Sequence, residues 1–272
     1  MIVLRSSYNS RLRARSDYHC SMRIALLSDI HGNSIALDAV LADIAARGSV
    51  DAHFVLGDLA ALGPDPVGVL ERLATLDDVQ FIRGNTDRYA ALGDRPGPTV
   101  EEAAANASLL PALVQVANTF AWTQGMITAA GWLDWVRALP LEMRRTLPDG
   151  TRFLAVHASP GKDDGAGISP QTEDSAVGPL FADRAADLVC VGHTHLPLDR
   201  RWNGVRIVNP GAISLSLTED KRACYAVLEA GEDGVRIEHR RVDYDRAAVI
   251  AQLERIGHPA RDFLIRHLAD PT

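Results

Sequence analysis

The chain has 272 residues, 47% of them hydrophobic, which is ample for a packed core and excludes a mostly disordered protein. A formal net charge of −7 argues against a nucleic-acid backbone as the main partner, yet leaves room for a small phosphorylated ligand held through bound cations. No run approaches the ~18 consecutive apolar residues of a membrane span, and the three cysteines show no CxxC spacing, so a reduced, cytoplasmic location is expected.

Residues 1–21 carry Arg5, Arg11, Arg13 and Arg15 but no signal-type apolar stretch, and Met22 directly precedes the first strand. They are expected to be a disordered extension or the product of start-codon choice, with a mitochondrial-type presequence as the sharper alternative. Of the 28 basic residues only Lys162 and Lys221 are lysine, a bias that fits genomic base composition before phosphate recognition.

A strand is predicted at 23–28, followed by an amphipathic helix from Ser34 to Arg47 with Asn33 or Ser34 as its cap. A second strand, Ala52–Leu56, enters a Gly/Pro-rich loop from Gly57 to Pro66, and Pro66 suits the first turn of a helix reaching Thr75. A third strand, Val79–Ile82, ends at Arg83-Gly84-Asn85. Strands spaced by helices of this length favour parallel βαβ pairing. Residues 88–139 break the rhythm with a turn-rich piece at Gly93–Pro98, a capping box at Thr99 and Glu102, and helical segments carrying Trp122, Trp132 and Trp135. This is expected to be a helical insertion whose tryptophans either fill the core or wall a pocket for a base. The second half predicts strands at 142–147, 152–157, 187–191, 205–208, 223–229 and 235–242, with helices around 171–183 and 245–256. The expected architecture is α/β, a four-layer α/β/β/α sandwich of two mixed sheets, forming a single domain over 22–272.

Five short polar clusters follow apolar, strand-type runs: Asp29-Ile30-His31, Gly57-Asp58, Gly84-Asn85, His157 and Gly192-His193-Thr194-His195. Residues just beyond the carboxyl ends of strands in an α/β sheet converge on one edge, where ligands bind. Seven nitrogen and oxygen donors at one edge can hold two divalent ions. Their mix of imidazole, carboxylate and amide suits Mn²⁺ first, with Fe, Zn²⁺ or Ni²⁺ possible, over a thiolate-type site.

The ordered set resembles the calcineurin-like metallophosphoesterases, whose pattern runs D-x-H, G-D, G-N-H-[D/E], H and G-H-x-H. The match spans about Met22 to Glu229. Gly63-Pro64-Asp65-Pro66 and Asn209-Pro210-Gly211 resemble the small bacterial and archaeal phosphodiesterase branch. The resemblance implies that Asp29, His31, Asp58 and His195 hold one metal, while Asp58, Asn85, His157 and His193 hold the other. Asp58 would bridge, and Asp58, Asn85 and His193 would act in catalysis through the metals. Two such ions activate a bridging hydroxide that attacks phosphorus in line, without a protein nucleophile.

Thr86 stands where many relatives carry His, so general-acid help worth about 10²–10⁴-fold is missing or comes from elsewhere. Asn209-Pro210-Gly211 continues Ala-Ile-Ser where relatives often have Ser-Val-Gly. Asn33, Thr86 and Arg88 are candidate substrate contacts, although capping suits Asn33 better and a solvated face suits Arg88 better. Asp87 fits a hydrogen-bond acceptor better than a catalyst. The expected activity is hydrolysis of phosphate esters, diesters favoured, on a small phosphorylated and possibly nucleotide substrate, without stable nucleic-acid or membrane binding. The alternatives are a phosphomonoesterase or protein phosphatase, and a non-catalytic metal-binding scaffold.

Overall fold

The computed structural model describes residues 21–181 and 185–269; the Arg-rich segment of residues 1–20, and with it the expected extension, lies outside the described residues. The chain alternates strand and helix at first: β1 (Met22–Leu27), α1 (Ser34–Ala46), β2 (Ala52–Val55), α2 (Pro66–Ala74) and β3 (Val79–Phe81). Four helices follow, α3 (Asn85–Leu92), α4 (Val100–Ala105), α5 (Leu110–Ala129) and α6 (Leu133–Arg137). Then come β4 (Glu142–Thr146), β5 (Arg152–Val156), α7 (Asp174–Phe181), β6 (Leu188–Cys190), β7 (Leu198–Trp202) and β8 (Val205–Asn209). The end of the chain forms β9 (Ala223–Gly231), β10 (Gly234–Val242), α8 (Arg246–Ile256) and α9 (Arg261–Leu268). None of the described helices is long and apolar enough to cross a membrane.

Two five-stranded mixed sheets result, in the orders β10-β9-β1-β2-β3 and β4-β5-β6-β8-β7. Strands β1, β2 and β3 run parallel, as do β5, β6 and β8, while β9, β10, β4 and β7 pair antiparallel with their neighbours. Alternation along β1 shows why four layers form, because successive strand side chains face opposite ways. Ile24 and Leu26 join Phe54, Phe153, Cys190 and Val208 between the sheets, with the Phe54 and Phe153 rings 5.4 Å apart. Ala25 and Leu27 face the other way, into a core with Leu37, Val40, Val69 and Tyr89 from the helices. On the second sheet, Leu154, Val156 and Val189 pack against Val177 and Phe181 of α7.

Two caps follow the expectations and a third, at Asp65, adds to them. Asn33 accepts from the Ala36 N–H and Asp65 from the Gly68 N–H, while Thr99 and Glu102 form a reciprocal capping box. The helical segment after β3 begins earlier than position 88, because α3 starts at Asn85. Strand β7 and helix α9 had no counterpart among the expected elements. The first is a charged edge strand paired antiparallel with β8 across Asn203-Gly204, both at positive φ. The tryptophans serve packing. Trp132 meets Trp135 edge-on at 5.5 Å, Trp135 meets Phe81 at 5.0 Å, and Trp122 meets His258 at 4.7 Å.

Candidate metal centre

Because β1, β2 and β3 are parallel in one sheet and β5 and β6 in the other, their carboxyl ends face one edge of the sandwich. The seven donors named from the sequence sit in the turns that leave these ends. The Asp29 and Asp58 carboxylates and the His157 imidazole are buried, as is His31, while His195 is partly so. Five of the seven hold a left-handed backbone: Asp29 (φ 54°), His31 (48°), Asp58 (57°), His193 (66°) and His195 (56°). Such conformations are uncommon in residues other than glycine, cost roughly 1–3 kcal/mol each, and cluster at functional sites. Here the loops hold them in place mutually: the N–H groups of Ile30 and His31 both donate to the Asp58 carbonyl, at 2.9 Å each.

The side chains meet in two overlapping groups. Asp29, His31 and His195 place ligand atoms within 4.8 Å of one another, and Asp29, Asp58 and His157 do the same. The Nε2 atoms of His31 and His195 lie 3.1 Å apart, and Asp29 Oδ1 is 3.3 Å from His195 Nε2. Asp58 Oδ2 lies between the groups, 3.6 Å from His31 Nε2 and 3.5 Å from His157 Nε2. Asn85 Oδ1 sits 3.1 Å from His157 Nε2 and 3.0 Å from His193 Nδ1. All seven donors therefore form one continuous cluster.

Surrounding backbone groups orient these donors. His157 Nδ1 is 2.6 Å from the Leu56 carbonyl and His195 Nδ1 is 2.7 Å from the Leu215 carbonyl, so each ring donates outward and turns its Nε2 inward. For His193 the roles reverse, with Nε2 2.8 Å from the Gly165 carbonyl and Nδ1 facing Asn85. An outer carbonyl that fixes tautomer and ring angle is the usual support of a metal-ligating histidine. Asp58 Oδ1 accepts from the Thr86 N–H, and Asp29 accepts from the Ser28 hydroxyl and the His193 N–H. Asp87 accepts from the N–H groups of Asp58, Leu59 and Gly84, each at 2.9 Å. It braces the Asp58 loop and α3 as an acceptor, the role its sequence position suggests.

The charges are mutually dependent. Burial works to raise the Asp29 carboxyl, but His195 and His157 hold it below its ordinary value. Asp58 is likewise depressed by His157 and His31 against the effect of burial. Burial works to lower His157, and the Asp58 and Asp29 carboxylates outweigh it, pushing that imidazole up to about 10. For His31 burial prevails, and its value falls to about 4. Protons on imidazoles thus offset the buried carboxylates in the cation-free chain. Inward lone pairs, two buried carboxylates and an amide oxygen make a donor set that fits divalent cations, which would replace those protons.

The three candidate substrate contacts differ in their surroundings. Asn33 Nδ2 donates to Ser214 Oγ at 3.1 Å while its oxygen caps α1, so both ends of its amide are engaged. The Arg88 guanidinium pairs with Asp94, Asp163 and Asp164, and Arg83 also pairs with Asp163. Thr86 is 6% exposed and its hydroxyl has no hydrogen-bond partner among the described residues. The supporting role of the Gly161–Gly167 loop had no sequence signal beyond its Gly and Asp content, yet Gly165 holds His193, and Asp164 holds Arg88 and Tyr89.

Residues 22–233 match the calcineurin-like phosphoesterase superfamily domain. The chain is 28% identical over 237 residues to an uncharacterised protein of Methanocaldococcus jannaschii, covering 82% of this chain and 88% of that one. It is 34% identical over 141 residues to a symmetrical bis(5'-nucleosyl)-tetraphosphatase of Acidovorax sp. (strain JS42), a match that spans 50% of this chain and 44% of that protein. Among solved structures, a metallophosphoesterase from Sphaerobacter thermophilus superposes with a TM-score of 0.71 at 28% identity, over 92% of this chain and 98% of the other. A hypothetical protein from Pyrococcus horikoshii OT3 shares the fold with a TM-score of 0.75 at 21% identity, over the same shares. The extent of the domain match, with the ordered D-x-H, G-D, G-N, H and G-H-x-H turns inside it, shows that the chain belongs to the calcineurin-like phosphoesterase superfamily.

Proposed function

We propose that the protein hydrolyses phosphodiesters at a centre of two divalent cations, Mn²⁺ first among the candidates. The observation that carries this reading is Asp58 Oδ2, nearly equidistant from His31 Nε2 and His157 Nε2 at 3.6 and 3.5 Å. Asp29, His31, Asp58 and His195 would hold one ion and Asp58, Asn85, His157 and His193 the other. Bound there, the ions would supply Lewis-acid charge and lower the pKa of a water. The chain's own groups do the rest. The Leu56, Leu215 and Gly165 carbonyls keep the imidazole rings aimed, and the Thr86 N–H fixes the Asp58 carboxylate. Thr86 offers a hydroxyl where a histidine would be bulkier and basic, which favours the lower charge and larger bulk of a diester. The partial likeness to a nucleosyl tetraphosphatase supports a nucleotide-type substrate. Arg88 would act at the site through the Asp163 and Asp164 loop.

The test compares bis-p-nitrophenyl phosphate with p-nitrophenyl phosphate, using protein stripped of metal and reloaded with Mn²⁺. Diester turnover should exceed monoester turnover and fall by at least ~10²-fold in Asp58→Asn. Full metal binding with no turnover of either ester would instead favour a non-catalytic scaffold.

A further inference from the structure

Beside the metal centre lies a cavity of about 360 Å³ that the chemistry described so far does not use. Its volume lies within the roughly 300–1,000 Å³ range of small-molecule sites. It shares two residues with the centre, since Asn85 and Thr86 line it. From there its wall rises through Tyr89 and Phe120, whose rings meet edge-to-face at 5.5 Å and 87°, and is completed by Pro96, Pro98 and Phe263. The wall draws on five parts of the chain: Leu62 in the loop after β2, α3, the loop before α4, the first half of α5, and α9 with the residue before it. None of the tryptophans lines it.

The lining carries no ionisable acid or base other than the Tyr89 phenol, whose hydroxyl donates to Asp164. A second phosphate or an acidic peptide would lose its hydration there without a partner. A flat apolar or heteroaromatic ring would bury its faces against Phe120, Phe263 and the two prolines, arrangements that aromatic groups favour. The Gln115 amide is in the lining and can meet a polar ring edge. A separate observation concerns the residue that centre and cavity share: the Thr86 hydroxyl is buried and has no hydrogen-bond partner among the described residues. A buried hydroxyl without a partner is costly, which marks Thr86 as a residue kept for something other than ligand-free stability.

We infer that this cavity receives an uncharged aromatic or heteroaromatic ring of the phosphate ester, placing the phosphoryl group at the Asn85 and Thr86 end. The inference rests on the phosphoesterase reading of the metal centre and narrows its substrates to ring-bearing esters. Tyr89, Phe120 and Phe263 then become specificity residues, and no part of a polyphosphate chain enters the cavity.

Phenylphosphonate and methylphosphonate test this directly, because their C–P bonds leave nothing to hydrolyse and binding is read without turnover. Titration calorimetry on the Mn²⁺-loaded chain should show phenylphosphonate binding roughly tenfold to a hundredfold tighter, the range expected for burying one aromatic ring. Ala112→Trp fills the cavity from an exposed position on α5, so folding is not at risk. It should bring the two affinities together while Mn²⁺ content stays at the wild-type value. Equal affinities in the wild type, or a phenyl preference that survives Ala112→Trp, would overturn the cavity assignment and leave the metal centre standing. Binding of neither anion would overturn the reading of the centre itself, and the cavity assignment with it.

Discussion

Gly84 shows how little room the centre leaves. A Cβ there would lie 2.0 Å from Asp58 Oδ1 and 2.3 Å from the Asp58 backbone nitrogen. Gly84→Ala removes no ligand, yet it should displace the Asp58 carboxylate and weaken Mn²⁺ binding by roughly 10–100-fold, as outer-shell changes do; equilibrium dialysis reads the change. Asp87→Ala would leave the Asp58, Leu59 and Gly84 N–H groups without their shared acceptor. Unpaired buried donors cost about 1–3 kcal/mol each, so the melting temperature should fall by several degrees, and an unchanged value would refute the bracing role. Thr86→Val should behave oppositely, leaving the ligand-free stability equal or slightly higher because a buried hydroxyl without a partner is removed. The seven donors were legible in the sequence because each is a chemically distinct residue in a spaced motif after an apolar run. Their orienting partners were not: Leu56, Gly165 and Leu215 act through backbone carbonyls, which any residue possesses. Arg88 read as a residue of a solvated face or a substrate contact, and only folding reveals that Asp94, Asp163 and Asp164 hold it.

Elements were legible where periodicity and caps agreed, as in β1, α1 and α2. Strand β7 was missed because Leu198-Asp199-Arg200-Arg201-Trp202 is an edge strand whose charged side chains mask its alternation, although Asn203-Gly204 is a hairpin signal. Helix α9 was missed because its eight residues bury little more than Leu264 and Leu268. The joint between α8 and α9 carries its own prediction. His258 is buried, accepts from the Ala260 N–H, and meets the Trp122 ring of α5 edge-on. Burial pulls its pKa down to about 4, below the ordinary value of about 6.5 in an unfolded chain. The unfolded chain therefore binds the extra proton between these limits, so the stability linked to His258 is intact above about pH 6.5 and is lost as pH falls toward 4. Thermal melts of wild type and His258→Phe should diverge in that window, with the variant losing less on acidification. Parallel curves would contradict the assignment.

At the scale of the whole molecule, two sheets meet through one apolar layer, and the candidate metal donors come from both. β1, β2 and β3 deliver Asp29, His31, Asp58 and Asn85, while β5 and β6 deliver His157, His193 and His195. Cations bound between them would tie the sheets together and favour the folded state by mass action. Mn²⁺ at a hundred times its dissociation constant should add about 2.7 kcal/mol per site, and a chelator should remove that gain. The four-layer arrangement could be inferred from the order and periodicity of the elements. The cavity beside Thr86 could not, because it needs α3, α5 and α9 packed together, and no local pattern joins residues so far apart in the chain. On the proposed reading, seven side chains from two sheets would make one centre for two cations, with Asp58 shared between them. Its most direct test is the Mn²⁺ content of the stripped and reloaded chain, measured by elemental mass spectrometry beside Asp58→Asn. Two ions per wild-type chain, with at least one lost in the variant, is the predicted result; one ion or none in the wild type, or two retained in the variant, would contradict it.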